Sequence, residues 1–245
     1  MNLIKSLNQF VLVGTLLFCL FSVYVVVGTS SSPGPKASTQ VVPVLEEPLH
    51  VVKHRGEHFL IYTNWIEPGV WTLYHEHRND LLAVIVIDTT AESQALHSEP
   101  REQSAPSGTL VFFPYADEAT PYVHRVGVGE RGSGPFINVG LEFQDAQKLD
   151  CNGDAAQWTE PLAEASSENR RGRGYRLTLP PGTEVDLPAG GRGLLLVPLG
   201  AANLTIDTEK WTAEIGDFRF DEKKLPQRLG NTGATAATLV VFEAC

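Results

Sequence analysis

The chain of 245 residues has little of what would make it a disulfide scaffold, a nucleic-acid binder or a helical bundle. It holds three cysteines, one of them (Cys19) inside an apolar leader, which is too few for a disulfide-dense fold. Charged residues make up 20%, below the roughly 25% of an average soluble protein. The 42% hydrophobic content nevertheless excludes a disordered chain. Basic residues are scarcer than acidic ones. Lys5 is the only one before Lys36, and from there on 18 basic residues face 29 acidic, a net −11. A nucleic-acid partner needs a positive footprint and is excluded on this balance. The one arginine cluster, Arg170, Arg171 and Arg173, sits in a Gly/Ser-rich stretch and reads as a solvated loop. After residue 40 no run has helical periodicity, and no histidine follows position 124.

Residues 6–35 carry no charge, and Phe10 to Gly28 reads FVLVGTLLFCLFSVYVVVG. With Lys5 as a weak positive end, residues 1–28 read as a signal peptide or an uncleaved signal anchor forming one N-terminal hydrophobic helix. Val26 and Gly28 would stand at the recognition positions of a cut after Gly28. Residues 29–41 are a small, polar, Pro-containing linker. The folded part is therefore expected outside the cytoplasm, either membrane-anchored or secreted.

The rest reads as all-β. Short β-rich runs lie between Pro-Gly and Gly signals: His58–Trp65, Leu81–Ile87, Thr109–Phe113, Phe136–Phe143, Leu194–Leu199, Phe218–Phe220 and Thr238–Phe242. The pattern also repeats. Glu67-Pro68-Gly69 before HEHRNDLL matches Pro180-Pro181-Gly182 before PAGGRGLL, so that His75 falls on Pro188, His77 on Gly190 and Asp80 on Gly193. HRVGVGE from His124 matches QRLGNTG from Gln227, and GLE ending at Glu142 matches VFE ending at Glu243. This gives a first lobe at 42–145, a connecting segment at 146–172 and a second lobe at 173–245.

All seven histidines lie in the first lobe: 50, 54, 58, 75, 77, 97 and 124. His75 and His77 are two apart on an expected strand and so point to one face. Two imidazoles placed this way can converge on one metal ion, with His124 as the candidate third ligand. Neutral imidazole suits Fe, Mn, Zn, Ni or Cu. His50, His54 and His58 read as surface residues, and His97 as a residue of a polar loop. Trp71, Tyr74 and Phe112 are candidates for the lining of a pocket.

Here the chain resembles the cupin superfamily. Gly69, five residues, His75, one residue, His77 follow the first family motif, and Gly108, five residues, Pro114 and then His124 follow the second. The duplication makes it resemble a bicupin with a degenerate second lobe. The resemblance implies two jelly-roll β-barrel lobes and one divalent transition metal in the first. The glutamate expected after His77 is missing, and Asp80 is the only nearby acid that could replace it. Three imidazoles alone would resemble the sites of thiol or diketone dioxygenases; an added carboxylate would resemble oxalate-type, isomerase or gentisate-like sites. The alternative is a non-catalytic cupin serving as a ligand-binding or assembly module. The partners implied are a small-molecule ligand or substrate, the membrane through the leader, and at most further copies of the chain. Cys151 and Cys245 each follow the last strand of a lobe and are a candidate disulfide.

Overall fold

Five of the apolar runs share a property that fixes the architecture: they do not alternate. LLAVI, FINVGLEF, GLLLVP and ATLVVFEA are buried at almost every position, as is most of FLIYTNWI. Strands of this kind must be covered on both faces. A computed structural model of the chain shows how; it describes residues 40–130, 132–144, 158–188, 191–222 and 227–244.

The first half runs β1 (Val41–Pro43), β2 (His50–Arg55), β3 (Phe59–Ile66), β4 (Tyr74–His77), β5 (Leu81–Ile85), β6 (Thr89–Ala95), β7 (Arg101–Ala105), β8 (Leu110–Phe113), β9 (Tyr122–Gly127) and β10 (Phe136–Phe143). The second runs β11 (Ala163–Asn169), β12 (Gly172–Leu179), β13 (Glu184–Asp186), β14 (Gly193–Pro198), β15 (Ala202–Ile206), β16 (Glu209–Ala213), β17 (Arg219–Asp221), β18 (Arg228–Asn231) and β19 (Ala237–Ala244). In the first half the sheets are ordered β1-β4-β9-β6-β7 and β2-β3-β10-β5-β8; in the second, β13-β18-β15-β16 and β11-β12-β19-β14-β17. Apart from β1, the second half repeats the first strand for strand.

The repeat holds in register. Tyr62 opposite Gly140 has its counterpart in Tyr175 opposite Val241, and Leu82 opposite Leu141 in Leu195 opposite Phe242. Gly69 and Gly182 both have positive φ, 80° and 71°. Each donates its N–H across the sheet, to the carbonyls of Val128 and Asn231, at 2.8 Å in both cases.

One face of the sheet β2-β3-β10-β5-β8, and one face of the sheet β11-β12-β19-β14-β17, lines its own lobe; the other meets the partner lobe. Phe59, Ile61, Leu82, Val84, Ile137, Val139 and Leu141 from the first half pack with Leu195, Val197, Val240 and Phe242 from the second in one buried cluster. The second lobe's interior is a separate apolar cluster that includes Tyr175, Leu177, Leu196, Trp211, Leu229 and Leu239.

Three readings from sequence change here. The segment expected only to connect the lobes, 146–172, supplies β11, an edge strand of the second lobe. Arg170 and Arg171 do not form a free solvated loop: Arg170 is partly exposed, Arg171 is 1% exposed, and both grip Asp80, which is 0% exposed. Arg170 Nη2 and Arg171 Nε donate to Asp80 at 2.6 and 2.7 Å, and Arg170 also pairs with Asp117. Asp80 is thus no member of the histidine group; its carboxylate serves the junction between lobes. Burial alone would raise its pKa, but hydrogen bonds from Arg170 and Arg171 outweigh that and hold it below the usual carboxylate range. The N-terminal segment, Cys151, Cys245 and Gly190 lie outside the described residues. Among the described residues no helix is long and apolar enough to cross a membrane.

Removing one partner of a buried ion pair leaves the other charge without its counter-ion. Asp80→Asn is therefore expected to lower unfolding free energy by ~3–5 kcal/mol in chemical denaturation. Arg78→Ala, which breaks an exposed pair with Glu76, is expected to change it by no more than ~0.5 kcal/mol.

Candidate metal centre

The first lobe's interior has the same frame but is hollow. A cavity of about 330 Å³ opens inside it. Alternation decides what faces it. On β4, His75 and His77 point inward, while Tyr74 and Glu76 point away. β9 lies antiparallel beside β4 with His124 directly opposite His75. Three imidazoles thus meet at one wall, and their metal-ligating nitrogens lie within 4.8 Å of one another. All three residues are buried.

Each ring is held by its Nδ1 atom. His75 Nδ1 is 3.0 Å from the Leu73 carbonyl, and His77 Nδ1 is 2.7 Å from the Glu142 carboxylate. Carbonyl and carboxylate only accept, so in both rings Nδ1 carries the hydrogen and Nε2 presents its lone pair. His124 Nδ1 is 3.2 Å from the Ser93 hydroxyl, which accepts equally well. The Nε2 atoms of His77 and His124 face each other at 3.2 Å. Anchored Nδ1 atoms with converging Nε2 lone pairs are what a histidine metal site requires. This donor set fits a divalent transition metal and leaves its identity open.

Burial lowers the pKa of His75 to about 3, reinforced by His77. Burial also pushes His124 well below the usual histidine range, with His75, His77 and His50 adding to the effect. His75 and His124 are thus neutral and ready to coordinate at ordinary pH.

Two participants were not evident from sequence. Glu142, an acid in the central strand β10, is 1% exposed and pairs with His77. A single acid inside an apolar run such as FINVGLEF is the signal that could have marked it, since a buried carboxylate needs a partner. His50, expected at the surface, is buried on β2. It stacks on Tyr62 at 4.6 Å and meets His75 edge-on at 4.5 Å. The Tyr62 ring lies flat against Gly140, where any Cβ would fall 2.5 Å from it. His54 instead pairs with Glu222 of the second lobe, and His97 is exposed as expected.

The lining expected from Trp71, Tyr74 and Phe112 is not found. Trp71 and Tyr74 hold the Arg125 guanidinium at 4.6 and 5.1 Å, outside the cavity. Phe112 faces the cluster between the lobes, and its neighbour Phe113 lines the cavity. Tyr62, Tyr115 and Tyr122 supply the aromatic wall near the histidines. Tyr115 stacks on His77 at 5.3 Å.

The histidine pKa shifts set a pH dependence for the metal-free protein. Below about pH 6.5 the unfolded chain takes up protons that buried His50, His75 and His124 refuse. Stability is therefore expected to fall as pH drops from about 6.5, by up to ~1.4 kcal/mol per pH unit for each histidine. Denaturant titrations between about pH 5 and 8 check this; replacing His75 by Gln should flatten the slope, and a flat profile in the parent would contradict it.

No family model matches the chain, and no curated protein matches it. Solved structures do. AerE from Microcystis aeruginosa is 12% identical, with a TM-score of 0.53 over 81% of this chain and 98% of that one. Salicylate 1,2-dioxygenase from Pseudaminobacter salicylatoxidans is 13% identical, with a TM-score of 0.52 over 79% and 75%. YhaK from Escherichia coli is 14% identical, with a TM-score of 0.50 over 80% and 93%. At these identities the likeness is one of fold. With the histidine-bearing strands, the paired barrels and these neighbours together, the chain has the fold of the cupin superfamily.

Proposed function

We propose that this protein is a metal-dependent cupin with one divalent ion in the first lobe, acting as an oxidoreductase of the dioxygenase type or an isomerase on a small molecule. The observation that carries this reading is the convergence of His75, His77 and His124 at the wall of an internal cavity, each with its far nitrogen anchored. Nε2 of each would hold the ion. A metal bound there would supply a Lewis acid or a centre for oxygen activation.

The protein's own groups do the rest. Asp80 is tied to Arg170 and Arg171, so three imidazoles without a carboxylate would hold the ion, at a wall that faces the cavity. Glu142 holds the His77 ring and its tautomer. Burial raises the pKa of Tyr62 and Tyr115 above that of an ordinary phenol, so both stay protonated and neither serves as a base near neutral pH. The solved salicylate 1,2-dioxygenase, whose fold is similar, includes a complex with gentisate; this supports a small organic molecule as the class of ligand here. We further propose that the domain works outside the cytoplasm, on the strength of the apolar run Phe10–Gly28 alone.

Metal analysis by plasma mass spectrometry of residues 42–245, purified without chelator, is expected to give about one transition metal per chain, lost in His75→Ala/His77→Ala. No metal in either, even after reconstitution with iron, manganese, zinc, nickel and copper, would overturn the enzyme reading in favour of a non-catalytic binding module. Glu142→Gln removes the carboxylate that orients His77. Its metal affinity, measured by competition with a chelator, is expected to fall about 10–100-fold while the fold survives.

A further inference from the structure

The strand order leaves a seam in each lobe. In the first, β7 is the last strand of its sheet, paired with β6, and β8 is the last strand of the other, paired with β5. Both border the cavity, through Gln103, Ser104 and Ala105 on β7 and Val111 and Phe113 on β8. None of these five is buried, whereas every lining residue on β2, β3, β5 and β10 is. Among the described residues of the lining, Gln103 and Ser104 alone are exposed. The cavity therefore meets solvent along the seam between β7 and β8.

The second lobe has the same seam and closes it. Its interior is filled, with Leu177 opposite Leu239 where the first lobe has Asn64 opposite Asn138. Gly127 stands opposite Glu92, and its counterpart Gly230 opposite Thr205. In that register Ala91 opposite Gln103 matches Leu204 opposite Trp211, and Ser93 opposite Arg101 matches Ile206 opposite Glu209. On the facing edge Val111 matches Arg219. Trp211 is buried in the interior cluster, and the Arg219 guanidinium lies over its ring at 5.6 Å. Arg219 Nη2 also donates to Glu209 across the seam at 2.9 Å. The first lobe has neither fastening. Arg101 and Val111 cannot form an ion pair, and the amide of Gln103 replaces a buried indole. Directly opposite residues share a face, so Gln103, opposite the interior residue Ala91, stands at the opening on the cavity side.

We infer that small molecules reach the histidines through the seam between β7 and β8, and that Gln103 governs their passage. The inference rests on the reading of this cavity as a small-molecule site and adds the route into it. Loss of the tryptophan and of the ion pair across the seam is what separates the accessible lobe from the closed one.

The test reads passage directly with diethyl pyrocarbonate, a compact neutral reagent that acylates unprotonated imidazole. Chelator-treated protein is exposed to it near neutral pH. Peptide mass spectrometry follows His50, His75 and His124, which line the cavity, beside exposed His97. Gln103→Trp copies the second lobe and is expected to melt as the parent does. It should slow acylation of the three cavity histidines about tenfold or more, since entry then needs a packed side chain to open, while His97 reacts as before. Gln103→Phe, a smaller plug, takes its place should the tryptophan lower the melting temperature, and is held to the same expectation. Gln103→Ala should leave the cavity rates unchanged or raise them. Cavity histidines that react as fast behind the aromatic plug, that slow in Gln103→Ala, or that fail to react in the parent while His97 does, would overturn the inference. Metal content is measured on the same preparations before chelation. Bound metal with no slowing by the plug sinks this route and leaves the metal reading intact. Slowing in protein that takes up no metal does the reverse.

Discussion

The packing of two five-stranded sheets against each other, outer face to outer face, is the constraint on which the rest of this structure depends. It buries β5, β10, β14 and β19 and most of β3 on both sides, and so it fixes their register. A slip of one residue along β10 would carry Asn138 and Glu142 into the junction between lobes and turn Val139 and Leu141 toward the histidines. The apolar outer face thus determines indirectly which side chains reach the cavity. The buried grip of Arg170 and Arg171 on Asp80 adds to it. Asp80 lies three residues after His77, and its backbone carbonyl accepts from Phe143 N–H at 3.0 Å. Residues just ahead of β12 thereby hold the turn that follows the second histidine.

Within that frame the histidines are supported from separate parts of the barrel wall. The backbone of Leu73 holds His75, Glu142 on β10 holds His77, and Ser93 on β6 holds His124. Leu73 is itself held: its N–H donates to Glu47, a buried acid that also accepts from Leu49 N–H. His75 has a local support two residues away, but the supports of His77 and His124 come from strands distant in sequence, so the imidazole geometry as a whole is a property of the assembled barrel. Local pattern alone could not have revealed these supports.

The limits of the sequence follow from this. The strands were legible because apolar runs and turn residues are local signals. Several expected bounds fall within one or two residues of those observed, and Phe136–Phe143 coincides. The repeat was legible because Gly69 and Gly182 occupy a conformation that few other residues tolerate. His75, His77 and His124 were legible as a group through motif spacing. Asp80 was misplaced because spacing gives distance along the chain and not direction; it lies in the turn after β4, where its carboxylate meets Arg170 and Arg171. Arg171 was misread because nothing local distinguishes a solvated arginine from one whose partner lies 91 positions away. His50 was missed because its environment is made by β3 and β4 together. Phe112 was assigned to the cavity where Phe113 belongs, an error of one residue and hence of one face.

The two lobes share a frame and differ in what fills it. Where the second has Leu177, Leu239 and Val241, the first has Asn64, Asn138 and Gly140. This divides tolerance to change unequally along the chain. Inside the second lobe, apolar residues of similar total volume can replace one another at little cost, so that interior is free to drift. Its outer face and the segment Asn169–Arg171 are not, because they are pressed against the half that carries the histidines. A lineage of such proteins would be expected to keep a vestigial half recognisable only on the side it turns toward its partner.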